Sequence, residues 1–295
     1  MEMSNVLFRY SPELTVFITR LHGSLQTTPG HPVASFNDPN SFVLAADAAE
    51  IRMSMAQLSA LMNSWLLRSP KAQLKNIAIT AQGNELLIRG TMKKGLHIPF
   101  KSTGEPTLSN DNRIRINVKK MSAADLPVKG VMDALGMNLD NVISQKGLDG
   151  ISVDKDSFLI DPQTAFPAPQ LRARITGVRI AGQDLVLSFG KGAPQLERQP
   201  WKNYIAIRGG ATEYGREETR DADLTLIDIT PNDPFEYYMG EYWCQIAAGT
   251  IKAKLNGGMR IFLPDYSKMP KGACHAKPDS EHAENGRRQA SKGGD

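Results

Sequence analysis

Cysteine is scarce in this 295-residue chain: there are two, Cys244 and Cys274. That excludes a disulfide-rich scaffold and a multi-cysteine zinc ribbon. It leaves either two free thiols, the preferred reading, or one disulfide formed in an oxidising compartment. Long hydrophobic runs are also lacking. The longest, the five residues Phe42 to Ala46, falls far short of the roughly 18 that a spanning helix needs. Charge of one sign is nearly balanced, with 35 Lys plus Arg against 31 Asp plus Glu. Part of the small basic excess lies in the polar tail, at Lys271, Lys277, Arg287, Arg288 and Lys292. No clustered basic face results, so nucleic acid is not an expected partner, whereas peripheral contact with an anionic membrane surface stays open. The opening residues Met1 to Asn5 show neither a basic n-region nor an apolar h-region. Localisation is therefore open between the cytoplasm and, if a leader has been removed, the periplasm or envelope.

Catalytic and metal motifs are missing as well. None of the five histidines stands in an H-x-x-x-H pair, and no G-x-S-x-G, Walker or G-x-G-x-x-G segment occurs. Cys274-His275 reads as a chance neighbour rather than a pair of zinc ligands. Asp221, Asp223, Asp228 and Asp233 are the nearest thing to a carboxylate cluster, and they read as a solvated sheet face and a turn. The expectation is no enzyme, no catalytic residue, no metal and no cofactor.

Patterning is what the chain does have. Ser54 and Gln57 have capping-box spacing, and Leu58, Leu61, Met62, Trp65 and Leu66 recur at i, i+3, i+4, i+7 and i+8, which predicts an amphipathic helix from Ser54 to Arg68, ended by Pro70. Leu14, Val16 and Ile18 alternate in a strand before it, and Phe42 to Ile51 reads as a strand feeding the helix. After Gln73 the period becomes two. Residues 74 to 79, 85 to 92 and 96 to 100 read as strands, and Ile114, Ile116 and Val118 face one way while charged residues face the other. Helical spacing returns at Val128, Val131, Met132 and Leu135. Further strands are expected near 151 to 153, 158 to 160, 171 to 180 and 184 to 189. Beyond a charged segment at 190 to 200, a possible sub-boundary, strands are expected at 204 to 208, 222 to 229, 249 to 255 and 259 to 263, with an aromatic helix over Phe235 to Ile246. Residues 1–270 read as one elongated domain, and 271–295 as a disordered polar tail.

The helix stripe, Ala124-Asp-Leu-Pro-Val-Lys-Gly130 and Arg174 to Leu187, with its late glycine, carry a resemblance of pattern. Over roughly residues 40 to 190 the chain resembles the bacterial single-module relatives of the tubular lipid-binding (TULIP) proteins, the superfamily of bactericidal/permeability-increasing protein. The resemblance implies an α+β fold in which a strongly curved antiparallel sheet wraps around one long amphipathic helix, with additional strands. It implies non-enzymatic binding or transport of lipid in an apolar groove. The segment Trp201 to Tyr266 and the missing leader depart from that pattern.

Two functions follow. The first is binding or transport of a lipid or other long-chain apolar ligand between helix and sheet, lined by Leu58, Leu61, Met62, Trp65, Leu66, Ile114, Ile116, Val118, Val131, Met132 and Leu135. Burying a methylene is worth about 0.8 kcal/mol, so a C16 chain would supply on the order of 10 kcal/mol before ordering costs. The second is a structural or interaction module of an envelope assembly with a filled core. Oligomeric state is not readable.

Overall fold

The computed structural model describes residues 1–68, 74–94, 96–123, 126–127, 150–154, 157–255, 257–270 and 274. Strands β1 (Glu2–Arg9), β2 (Thr15–Thr27), β3 (Ala34–Ser35) and β4 (Phe42–Ser54) precede helix α1 (Met55–Arg68). Then come β5 (Leu74–Gln82), β6 (Glu85–Lys94), β7 (Leu96–Leu108), β8 (Ile114–Ala123), β9 (Leu126–Pro127), β10 (Ile151–Asp154) and β11 (Ser157–Ile160). A single helical turn, α2 (Pro162–Ala165), leads to β12 (Gln170–Arg172), β13 (Ile175–Ala181) and β14 (Asp184–Gly190). The last part comprises β15 (Tyr204–Arg208), β16 (Thr212–Tyr214), β17 (Glu217–Thr219), β18 (Asp223–Asp228), β19 (Phe235–Tyr238), α3 (Tyr242–Ala248), β20 (Thr250–Ala253) and β21 (Met259–Leu263).

The larger sheet has 11 strands in the order β13-β14-β4-β2-β1-β15-β18-β21-β20, with β12 beside β4 and β19 beside β1. The second has seven, in the order β10-β11-β8-β7-β6-β5 with β9 beside β8, and every pair in it is antiparallel. A small third sheet joins β17, β16 and β3. Strands on both sides of the irregular segment 191–200 belong to this one sheet, because β1 pairs with β15 at Glu2↔Ala206.

This architecture corrects the expected α+β class. Of the described residues, strands hold 56% and helices 13%, distributed over several sheets with short helices. Among the described residues no sheet wraps around one long helix. The 14 residues of α1 span only about 21 Å at 1.5 Å per residue, and the helix lies along β5 at one edge of the second sheet. Its apolar spacing was correctly read as helical, but a stripe of that kind needs only one apolar surface to cover it. A sheet edge supplies that surface as well as a sheet's concave face would.

The local chemistry of the start of α1 follows the capping expectation in part. Ser54 Oγ accepts from the Gln57 amide at 3.2 Å, which satisfies one of the orphan donors of the first turn. The Gln57 side chain does not return to Ser54. Its Oε1 accepts from the Thr15 amide at 2.9 Å, tying the helix to β2 instead.

Three further expectations change. The first residues, considered only as a leader, form β1, a central strand of the large sheet whose first half pairs with β15 and whose second half pairs in parallel with β19. Asn5, between the two pairings, has φ of 54°, a left-handed conformation that asparagine tolerates better than most residues. Phe235 to Ile246 is not one helix: β19 lies on β1, a 3-10 turn covers Met239–Glu241, and α3 follows. The alternation of Leu14, Val16 and Ile18 shifts parity at Leu21 because a bulge at Thr19 inserts one residue against β4.

Side-chain amides stitch the two large sheets together. Gln183, in the β13–β14 turn, accepts from the Ala81 amide at 3.0 Å and donates to the Ala81 carbonyl at 3.2 Å. Asn112, before β8, accepts from the Ile175 amide at 2.7 Å and donates to the Ala173 carbonyl at 3.3 Å. Each amide presents a donor and an acceptor to one backbone segment, as a neighbouring strand would.

Candidate functional site

The residues expected to line a groove divide into three groups. Leu58, Leu61 and Met62 on α1 are 2%, 5% and 7% exposed, and Ile114 and Ile116 on β8 are 2% and 1% exposed. These five belong to one continuous apolar cluster, and Val118 packs against it half-buried. Trp65 and Leu66 lie in α1, but their side chains fall outside the described residues, as do Val131, Met132 and Leu135 entirely.

The cluster forms because the strand registers put apolar residues on one face. In the second sheet Ile114↔Ile160 and Ile116↔Phe158 pair across β8 and β11, and Ile79↔Ile88 pair across β5 and β6. The opposite face is polar, as its alternation predicts. Arg115 binds Asp154 at 2.8 Å, and Lys119 binds Glu85 and Glu105 at 2.9 and 2.7 Å. These exposed pairs contribute little to stability, but they keep that face wet and fix which side of the sheet turns inward.

Helix α1 is held on β5 by two polar side chains that spacing alone did not single out. Asn63 donates to the Ile77 carbonyl at 2.7 Å and accepts from the Ile77 amide at 2.8 Å, and Ser59 Oγ accepts from the Ile79 amide at 2.8 Å. The helix thus caps an edge strand with hydrogen bonds while Leu58, Leu61 and Met62 pack inward. Replacing Asn63 by Ala leaves both Ile77 groups without their partner, so we expect a loss of about 1–3 kcal/mol. Equilibrium urea unfolding checks it, and a variant within 0.5 kcal/mol of wild type would show that water replaces the amide freely.

A second apolar region lies on the large sheet. A cavity of about 10 Å³ is lined by Met3, Phe8, Ile18, Phe36, Phe42 and Met239, among others. That is room for about one water, whereas ligand pockets usually measure about 300–1,000 Å³. Beside it the rings of Phe36, Tyr214, Tyr237 and Tyr242 pack edge-on or tilted against one another at centroid distances of 4.7–6.4 Å. Burial pushes the Tyr242 phenol up to about 12, although its hydroxyl accepts from the Gly215 amide at 2.8 Å and donates to Asn37 Oδ1 at 2.6 Å.

The four aspartates do not converge. Asp223 is bound by Lys254 at 2.6 Å and Arg260 at 2.9 Å, and these partners outweigh its partial desolvation and hold its carboxyl below the usual range. Asp228 accepts from Asn203 at 2.8 Å and from the Thr230 amide at 2.7 Å. Asp233 binds Lys268 at 2.7 Å, and Asp221 takes no part in these contacts. Asp223 anchors one place in the last sheet segment, while Asp228 and Asp233 are joined in a second network through Asn203 and through Thr230, Asp265 and Lys268. Cys244 and Cys274, for which free thiols were preferred, are joined as a disulfide. Sequence spacing could not reveal this, because the contact depends on where residue 274 returns after β21.

Among the described residues no helix is long and apolar enough to cross a membrane. Comparison with known proteins leaves the geometry to stand alone: no family model, curated protein or solved structure matches the chain.

Proposed function

We propose that the chain is a non-catalytic interaction module with a closed core. The observation that carries this reading is the burial of Leu58, Leu61 and Met62 on α1 against other protein side chains. Side chains that line an open groove face a space outside the protein, whereas Leu58, Leu61, Met62, Ile114 and Ile116 are covered by protein and belong to one apolar cluster. The edge at β20, which among the described residues pairs only with β21, supports the same reading. The Lys254 amide donates to the Gly258 carbonyl and the Lys254 carbonyl accepts from the Gly257 amide, which closes the β20–β21 hairpin, so by antiparallel alternation the amides and carbonyls of Ile251 and Ala253 point away from β21. Ile251 is 53% exposed and Leu255 fully so. An exposed strand edge with apolar side chains is a surface on which a partner strand can add.

Carriage of an acyl chain is the second reading, and one observation favours it: the helix stripe and the inner face of the second sheet meet in one apolar cluster. Organic extraction of the purified protein, native mass spectrometry and titration with a fluorescent fatty acid separate the two. We expect no co-purifying lipid and no saturable uptake of the probe. An acyl ligand at a fixed stoichiometry, displaced by the probe, would overturn the closed-core reading.

A further inference from the structure

We propose that, once its disulfide is reduced, the chain holds a thiophilic divalent cation such as Zn²⁺ between Cys244, Cys274 and Glu241. The ligand atoms of these three side chains lie within 4.8 Å of one another. They reach one point from different parts of the chain. Glu241 ends the 3-10 turn before α3, Cys244 is in α3 with no exposure, and Cys274 comes back from beyond the last strand on the accessible side.

The chemistry of this set suits zinc. Two thiolates and one carboxylate are three of the donors that Zn²⁺ accepts in a tetrahedral shell, and water fills the fourth position in a site left open on one side. Zn–S bonds of about 2.3 Å place two thiolates about 3.8 Å apart in such a shell. The exposed Cys274 side can make that small separation while the buried Cys244 stays fixed. The carboxylate is already oriented, because the Tyr266 hydroxyl donates to Glu241 Oε2. A hydrogen bond from outside the ligand shell of this kind directs the lone pairs of the ligand.

The change is balanced. A dithiol reductant gives two electrons and two protons to the sulfur pair and becomes a disulfide itself. The cation then displaces the two thiol protons, so binding releases two protons per metal and strengthens as pH rises through the thiol range. The two cysteines are therefore a covalent staple under oxidising conditions and, with Glu241, a metal clip under reducing ones.

The test uses the full chain. Reduced and oxidised samples are titrated with Co²⁺ and then Zn²⁺ under argon, followed by the thiolate-to-cobalt charge-transfer band and by metal analysis after dialysis. We expect one metal per chain in the reduced sample, none in the oxidised sample, and loss of the band in Cys274→Ser. Glu241→Gln should keep the band and weaken Zn²⁺ binding by about tenfold or more. Reduced protein that retains no metal, oxidised protein that retains as much, or a Glu241→Gln variant that binds as tightly as wild type would each overturn the proposal. Because the oxidised and reduced samples are the same polypeptide, the comparison does not depend on any variant folding.

Discussion

Leu61→Ala is expected to lower stability by about 2–5 kcal/mol, and Leu61→Trp by about 1–3 kcal/mol. Leu61 is 5% exposed and sits in the same apolar cluster as Leu58, Met62 and Leu74. Truncating it removes transfer free energy and leaves a cavity that its neighbours fill only in part. Enlarging it forces side chains off their rotamers in a packed interior. The pair is informative because a groove wall answers differently. There the smaller residue would cost well under the core range, and the indole would occupy open volume, so both variants would stay near wild type while affinity for an acyl probe fell. Urea unfolding monitored by circular dichroism, read through the midpoint at constant slope, distinguishes the two patterns. Two destabilised variants with no probe binding support the closed core. Two stable variants with altered probe affinity would return the groove to first place.

What the sequence made legible were elements that announce themselves locally. The helix over Ser54 to Arg68 was readable because its apolar residues recur at helical spacing, and Ile114, Ile116 and Val118 because a half-wet strand must alternate. Their assembly was not readable. An apolar stripe says that something covers it, not whether the cover is a concave sheet or the edge strand β5, and the choice is made by Asn63 and Ser59, two polar residues that any exposed helix face would carry. Strand β1 was hidden for a related reason. Met1 to Asn5 are read only for a leader signal, yet Glu2 is buried and its Oε1 accepts from the Glu197 amide at 2.8 Å, a contact 195 residues away in sequence. Parallel pairings such as β1 with β19 and β18 with β21 leave no hairpin turn to mark them. The disulfide belongs to the same class, since two cysteines define one connectivity but not whether they meet.

Gln245→Ala is expected to cost about 3 kcal/mol or more, although an amide on a short helix looks like an ordinary surface residue in sequence. Gln245 has no exposure. Its Oε1 accepts from the Tyr238 amide at 3.0 Å, and its Nε2 donates to the carbonyls of Glu236 and Pro264 at 2.8 Å each. One side chain thus satisfies three buried backbone groups and joins α3 to β19 and to the segment after β21. An orphaned buried group costs about 1–3 kcal/mol, with relaxation recovering part of the sum. Gln245→Met separates the polar contribution from the cavity, because it nearly restores the volume but none of the three hydrogen bonds. If the hydrogen bonds dominate, Met should be almost as destabilising as Ala in chemical denaturation, and hydrogen exchange at the Tyr238 amide should accelerate in both. Met at wild-type stability would mean that packing, not polar satisfaction, fixes α3 against the sheet.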